Sequence, residues 1–276
     1  MRWLIKYLAA IIFSAALISS AAAKPRAISL DYCADQYLLK LADPEQIIAV
    51  SPGADEADSY MRDEAREHRQ VRPRTEEVLL LAPDVVLRQW GGGTEAENAF
   101  GRFGAEVVSI GFPTNFKGVA QSIRIAAAAL EQEARGDALI EEMNARLARL
   151  REIEIDDQSA LYVTPGGVTA GDQTMIHAMI EAAGLKNGAA VMGLSYWPSL
   201  SVENLVLSPP GFVVAGFFDA GAEKSNHWSA GRHPAFADMF AKTPTVNLSA
   251  DILSCAAWFA VDGAEAIANA AKDFEQ

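Results

Sequence analysis

Two series of short apolar runs, each alternating with helix formers, are separated in this chain by one long stretch of almost pure helix formers, and that arrangement leaves few folds open. In the first series the β-like runs are 26–30, 47–50, 85–87 and 107–110. Helix-like runs lie between them: 34–42, stopped by Pro44; 76–81, capped by Thr75 and ended by Pro83; and 95–103, after the Gly91-Gly92-Gly93 loop. Pro113 closes the series. Strands that alternate with helices use crossover connections, and crossovers build a parallel sheet in an α/β lobe.

The separating stretch is 116–152, with Gly136 its one expected break. Within it Leu139, Ile140, Met143, Leu147 and Leu150 recur at helical spacing. A helix of about 17 residues is about 25 Å long, enough to run from one lobe to another. The second series starts with a strand at 160–163 and a glycine-rich loop at 164–172. A helix at 173–183 ends at Gly184, and a strand follows at 212–215. A long loop at 216–232 and helices at 234–241 and 256–273 complete it. The expected division is a leader at 1–23, a first lobe at 24–132, a connecting helix at 133–155 and a second lobe at 156–276.

The leader is read from its charges and its small residues. Arg2 and Lys6 precede an apolar core at 7–18, and Ala21-Ala22-Ala23 follows in an A-x-A pattern just before Lys24. This is the pattern of a secretory signal peptide, and it predicts export to the periplasm with cleavage before Lys24. A membrane anchor is the competing reading, but the core falls short of the about 20 residues a bilayer span needs. No cysteine follows that could carry a lipid. The chain has a net charge of −13, and the leader holds cations but no acid, so the remainder is more acidic still. Such a protein repels phosphate backbones and anionic membranes, which excludes nucleic acid as a partner and suits a freely diffusing monomer. Cys33 and Cys255 are the only cysteines. In an oxidising compartment a pair predicts one disulfide, here between opposite lobes; two separate buried thiols are the alternative.

A short internal repeat also points to two related lobes. Glu76-Glu77-Val78-Leu79 and Glu203-Asn204-Leu205-Val206 each open a helix. Pro83 and Pro210 follow, and then the strands Val85-Val86-Leu87 and Phe212-Val213-Val214. Ile28-Ser29-Leu30 leads to Ala34-Asp35-Gln36-Tyr37-Leu38-Leu39, Pro83-Asp84 leads into Val85-Val86-Leu87, and Ala183-Gly184-Leu185-Lys186-Asn187 comes after the long helix. In this order and spacing the chain resembles the periplasmic binding proteins with a helical backbone. These serve ABC importers of vitamin B12, ferric siderophores and haem, and in a neighbouring branch bare metal ions. Tyr196-Trp197-Pro198 with Ser201-Val202-Glu203, and Trp90-Gly91-Gly92, resemble the vitamin B12 binders most. Cys255-Ala256-Ala257-Trp258 departs from the Gly-Gly-Pro pattern of relatives, and the cysteine pairing of the vitamin B12 binders has no counterpart here.

The resemblance implies two three-layer α/β lobes with parallel sheets, joined by one backbone helix, with a ligand cleft between them. It also implies that one acid per lobe, Glu76 and Glu203, docks into arginine pockets of a permease dimer. Both acids lie in a first helical turn, where they stabilise the helix dipole as well. In open α/β sheets ligands bind beyond the carboxyl ends of the strands. Tyr32, Trp90, Tyr196, Trp197, Phe217 and Trp228 are the aromatic candidates there, with Asp31, Gln89, Thr164 and Thr169 beside them. Flat aromatic side chains suit a corrinoid, or alternatively a porphyrin or ferric siderophore; core packing is the competing role. Arg232 is the candidate for an anionic group of the ligand, or for a surface ion pair.

No metal site or catalytic centre is expected. His177 and Glu181 sit four apart on a helix, a spacing that can hold a metal, but one such pair reads better as a solvated helix face. His227 and His233 share a loop, and no histidine follows the first strand. There is no G-x-S-x-G, H-E-x-x-H or P-loop. A binding protein is therefore expected ahead of a periplasmic hydrolase, or of a sensor or chaperone of the same fold.

Overall fold

The computed structural model describes residues 23–90, 93–218 and 233–274, with backbone alone for 93–96. Its first sheet contains β1 (Ala27–Ser29), β2 (Ile47–Ala49), β3 (Val85–Arg88) and β4 (Glu106–Ser109) in the order β2-β1-β3-β4. Its second contains β5 (Ser159–Val163), β6 (Lys186–Asn187), β7 (Phe212–Gly216) and β8 (Thr245–Leu248) in the order β6-β5-β7-β8. All pairings are parallel. The two lobes therefore share one topology, in which β5 corresponds to β1 and β7 to β3. Chain direction through the sheet reverses between β1 and β3, and between β5 and β7. Open sheets hold ligands at such switch points.

The central strands are continuous apolar runs because helices cover both of their faces. Val85, Val86 and Leu87 are buried, as is every residue of β7. The edges follow a different rule. β6 has two residues, and β8, Thr-Val-Asn-Leu, is buried only at Leu248. Neither run is apolar enough to announce itself in the sequence.

The long helical stretch divides at a place other than the one expected. Gly136 lies inside the helix Glu133–Leu150. The break falls at 130–132, where Glu131 takes φ 53°. Side-chain hydrogen bonds from a distant loop hold this turn: Gln46 Nε2 donates to the Leu130 carbonyl at 2.9 Å, and Gln132 Nε2 donates to Gln46 Oε1 at 2.6 Å. Gly136 instead lets two helices cross closely, since a Cβ there would lie 2.6 Å from Ala127 Cβ of the helix Phe116–Ala129.

One buried cluster runs through both lobes. It includes Tyr37 and Leu38 of the first and Trp258 and Phe259 of the second. Tyr37 hydroxyl donates to the Ala256 carbonyl at 3.0 Å, and its ring meets Trp258 edge-on. The interface between the lobes is thus packed as part of the core.

Candidate ligand-binding cleft

The cleft is assembled from strand ends. Asp31 follows β1 and caps the helix Tyr32–Leu41, accepting from Ala34 N at 2.9 Å. Its second oxygen accepts from Gln89 N at 2.7 Å and Trp90 N at 3.0 Å, just past β3. A single buried carboxylate therefore ties both sides of the first switch point and fixes the backbone beneath Trp90. Tyr32 stands on the first turn of the capped helix, and its ring meets Trp90 at 5.0 Å and 70°. Phe112, past β4, lies 6.3 Å from Trp90 and within 24° of parallel. These three rings form one wall. Partial burial, with the charges of Asp58 and Asp31, pushes the Tyr32 phenol above its ordinary pKa. The group is thus a neutral hydrogen-bond donor at physiological pH.

The facing wall belongs to the second lobe. Thr174 caps the helix Met175–Ala182, accepting from His177 N at 3.1 Å and donating to the Gly171 carbonyl at 2.8 Å. Met175, Ile176 and Met179 of that helix line the cleft, together with Trp197. The segment carrying Trp197 is pinned by backbone hydrogen bonds. Gly171 N donates to the Tyr196 carbonyl, Tyr196 N to the Asp172 carbonyl, and Thr169 N to the Pro198 carbonyl, at 2.8–2.9 Å. Gly171 makes this approach feasible, because a Cβ there would lie 2.0 Å from the Leu194 carbonyl oxygen. The disulfide between Cys33 and Cys255 lies between the walls, with Leu253, Ser254 and Ala256. The cleft so enclosed measures about 300 Å³.

Of the aromatic candidates, Tyr32, Trp90 and Trp197 come together here. Trp90 and Trp197 keep 41% and 54% of their surface exposed, so both have ring area free for a ligand. Tyr196 is not part of the lining; its hydroxyl donates to Gln173 Oε1 at 2.8 Å and braces a residue that is. Phe217 is half-buried at the end of β7, with φ 61°, and is not part of the lining either. Trp228, Arg232 and His227 lie outside the described residues. The unforeseen lining residues include Phe112 to Thr114 and the apolar face of Met175, Ile176 and Met179. The first group follows β4, so the strand-end rule contained it. The second has the spacing of any core helix.

Among the described residues the lining has no acid, no base and no histidine. It offers rings, thioethers, the amides of Gln89 and Gln173, and hydroxyls. His177 and Glu181 are engaged elsewhere: His177 Nδ1 lies 3.3 Å from Asn187 Nδ2, and Glu181 accepts from Asn187 N at 3.4 Å. No group of three or more His, Cys, Asp or Glu able to hold a metal occurs among the described residues. His233 caps the helix Pro234–Lys242.

The profile of the periplasmic binding protein family matches residues 28–248. The chain belongs to this family. A cobalamin-binding protein of Halobacterium salinarum is 29% identical over 197 residues, which are 69% of this chain and 53% of that protein. The chain thus spans about half the length of the curated relatives it matches. Among solved structures, the periplasmic heme-binding protein from Roseiflexus sp. RS-1 in apo form superposes with a TM-score of 0.69 at 22% identity, covering 90% of this chain and 100% of that one. The periplasmic vitamin B12 binding protein of Vibrio cholerae superposes with a TM-score of 0.67 at 17% identity, covering 92% and 98%. These two carry the fold.

In this periplasmic binding protein Glu76 and Glu203 occupy corresponding places. Each is exposed in the first turn of a short helix, Thr75–Leu79 or Val202–Leu207, that leads into β3 or β7. Neither forms an ion pair among the described residues.

Proposed function

We propose that this protein is exported, loses its leader before Lys24, captures a corrinoid in the cleft and hands it to the permease dimer of an ABC importer. The observation that carries the ligand class is the neutral lining. Two tryptophans and two further rings supply flat apolar area, and the described part of the wall is free of charge. A corrin bearing amide side chains matches such a wall through ring contact and through hydrogen bonds to Gln89, Gln173 and the Tyr32 phenol. The cobalamin-binding relative supports the same choice. Glu76 and Glu203 are the docking acids in this reading. Among the described lining residues none pairs a nucleophile with a base, which favours a carrier over a hydrolase.

Haem is the second reading, favoured by Met175 and Tyr32, which line the cleft from opposite lobes. Met and Tyr both serve as haem ligands. Against it, the described lining holds no arginine, lysine or histidine to favour an axial tyrosinate at Tyr32. Titration calorimetry of the mature protein with cobalamin, haem and a ferric siderophore separates the readings. The expected result is a Kd for cobalamin below about 10 μM, or roughly −7 kcal/mol. Tighter binding of haem or of the siderophore would overturn the corrinoid assignment.

A further inference from the structure

The two docking acids are part of a larger repeated surface. Four residues after Glu76 comes Leu80, and four after Glu203 comes Leu207. Leu80 is 85% exposed and Leu207 is 80% exposed. The residue before each leucine, Leu79 or Val206, aligns as well, as do the buried Val78 and Leu205, and the prolines Pro83 and Pro210. Both segments lead into the third strand of their sheet, in sheets of identical strand order. Residues four apart on a helix share a face, with Cβ atoms about 5–6 Å apart. Each lobe therefore presents one carboxylate without an ion pair among the described residues, and one bare leucine a helical turn beyond it.

A single exposed leucine is ordinary on a protein surface. Two at matching positions of lobes that otherwise differ in sequence, each beside an acid, are not explained by folding, because neither leucine covers core. We infer that Leu80 and Leu207 are apolar anchors of the docking face. Their partner is a two-fold-symmetric membrane dimer that offers, in each subunit, a basic pocket and an apolar recess about one helical turn apart. The symmetry follows from the repeat: a patch presented once by each lobe is complementary to a surface that itself occurs twice. The acids steer and orient the encounter, while the leucines bury area and slow dissociation.

This inference rests on the docking role proposed for Glu76 and Glu203, and its test keeps the two apart. Ligand-loaded protein is bound to its importer reconstituted in nanodiscs, using wild type, Glu76→Arg/Glu203→Arg, Leu80→Ser, Leu207→Ser and the double serine variant. Ligand affinity should match wild type in all four variants, and melting temperature in the three serine variants, since every altered side chain is exposed; charge reversal at the two first-turn acids costs some helix-dipole stabilisation. Each serine variant should raise the docking Kd about tenfold, mainly through faster dissociation, and the double variant about a hundredfold. If charge reversal abolishes docking and the serine variants do not weaken it, the leucine anchors are refuted while the acid reading stands. If one leucine matters and the other does not, the two-fold recess is refuted. If charge reversal leaves docking intact, the acid reading fails and the anchors fail with it.

Discussion

The rings of Tyr60 and Phe259, one from each lobe, stack 4.1 Å apart and within 7° of parallel, and the Tyr60 hydroxyl donates to Asp262 at 2.7 Å. Arg62 pairs with Asp251 at 2.7 Å across the same seam. Arg146 of the connecting helix reaches Asp262 and Glu265, both at 2.6 Å. The Cys33–Cys255 disulfide, with Cα atoms 5.4 Å apart, closes a sequence separation of 222 residues. Covalent, aromatic and ionic contacts thus converge on one side of the cleft.

The disulfide should contribute stability rather than ligand affinity. Closing a loop of 222 residues is worth roughly 5 kcal/mol on the chain-entropy estimate. Cys33→Ser/Cys255→Ser should therefore lower unfolding free energy by about 3–5 kcal/mol in denaturant melts. Ligand Kd should change less than about fivefold, because the Tyr60 stack and the Arg62 pair remain. A loss of affinity beyond tenfold with little loss of stability would show that the bridge shapes the site directly.

Trp90 and Trp197 should act independently, since they approach from opposite lobes. Burying an indole against a ligand contributes a few kcal/mol, so Trp197→Ala and Trp90→Ala should each weaken binding at least about tenfold. The double variant should lose about the product of the two. Intrinsic fluorescence quenching by cobalamin would read both. Wild-type affinity in the Trp197 variant would remove the second lobe from the site.

Asp35 gives a pH signature. It is fully buried and accepts from Ser51 N at 2.9 Å, Ser51 Oγ at 2.6 Å and Ser29 Oγ. Burial pushes its pKa up to about 6, against the opposing effect of these hydrogen bonds. The folded state therefore holds this proton more tightly than the unfolded chain. Its contribution to stability is full below about pH 4 and is lost as pH rises through about 6. Asp35→Asn should gain on wild type by about 2 kcal/mol between pH 4.5 and pH 7 in parallel denaturant melts. Stability curves that stay parallel over that window would contradict the shift.

What was legible in the sequence depended on burial. β3 and β7 were readable because strands covered on both faces must be continuously apolar. β6 and β8 were not, as short edge strands with polar residues. The helix break was misplaced onto Gly136 because the turn at Glu131 is imposed by Gln46, more than eighty residues away, and leaves no local mark. In the cleft, Tyr32, Trp90 and Trp197 stood out as aromatics near strand ends. Met175 and Met179 did not, because an apolar face at helical spacing looks the same whether it meets a core or a ligand. Phe217 also follows a strand, and its side chain is not among those lining the cleft.

The second wall depends on one glycine, which can be tested against a neighbour. At Gly171 a Cβ would collide with backbone, 2.0 Å from the Leu194 carbonyl oxygen and 2.7 Å from Ser195 N. Backbone cannot move aside as a flexible side chain can, so Gly171→Ala must push the 194–198 segment away from Asp172. That displacement stretches the Gly171–Tyr196 and Asp172–Leu194 hydrogen bonds, which hold Trp197 in place. Overpacking of this kind costs about 1–3 kcal/mol of stability. Because the strained segment carries Trp197, ligand Kd should rise with it, by about tenfold or more. Gly166 is the control: it lies in the same loop, and its Cβ would meet nothing closer than Thr164 Oγ1 at 3.9 Å. Gly166→Ala should leave melting temperature and ligand Kd near wild type. Equal effects from the two substitutions would mean that loop flexibility, rather than close backbone approach at Gly171, sets the position of Trp197.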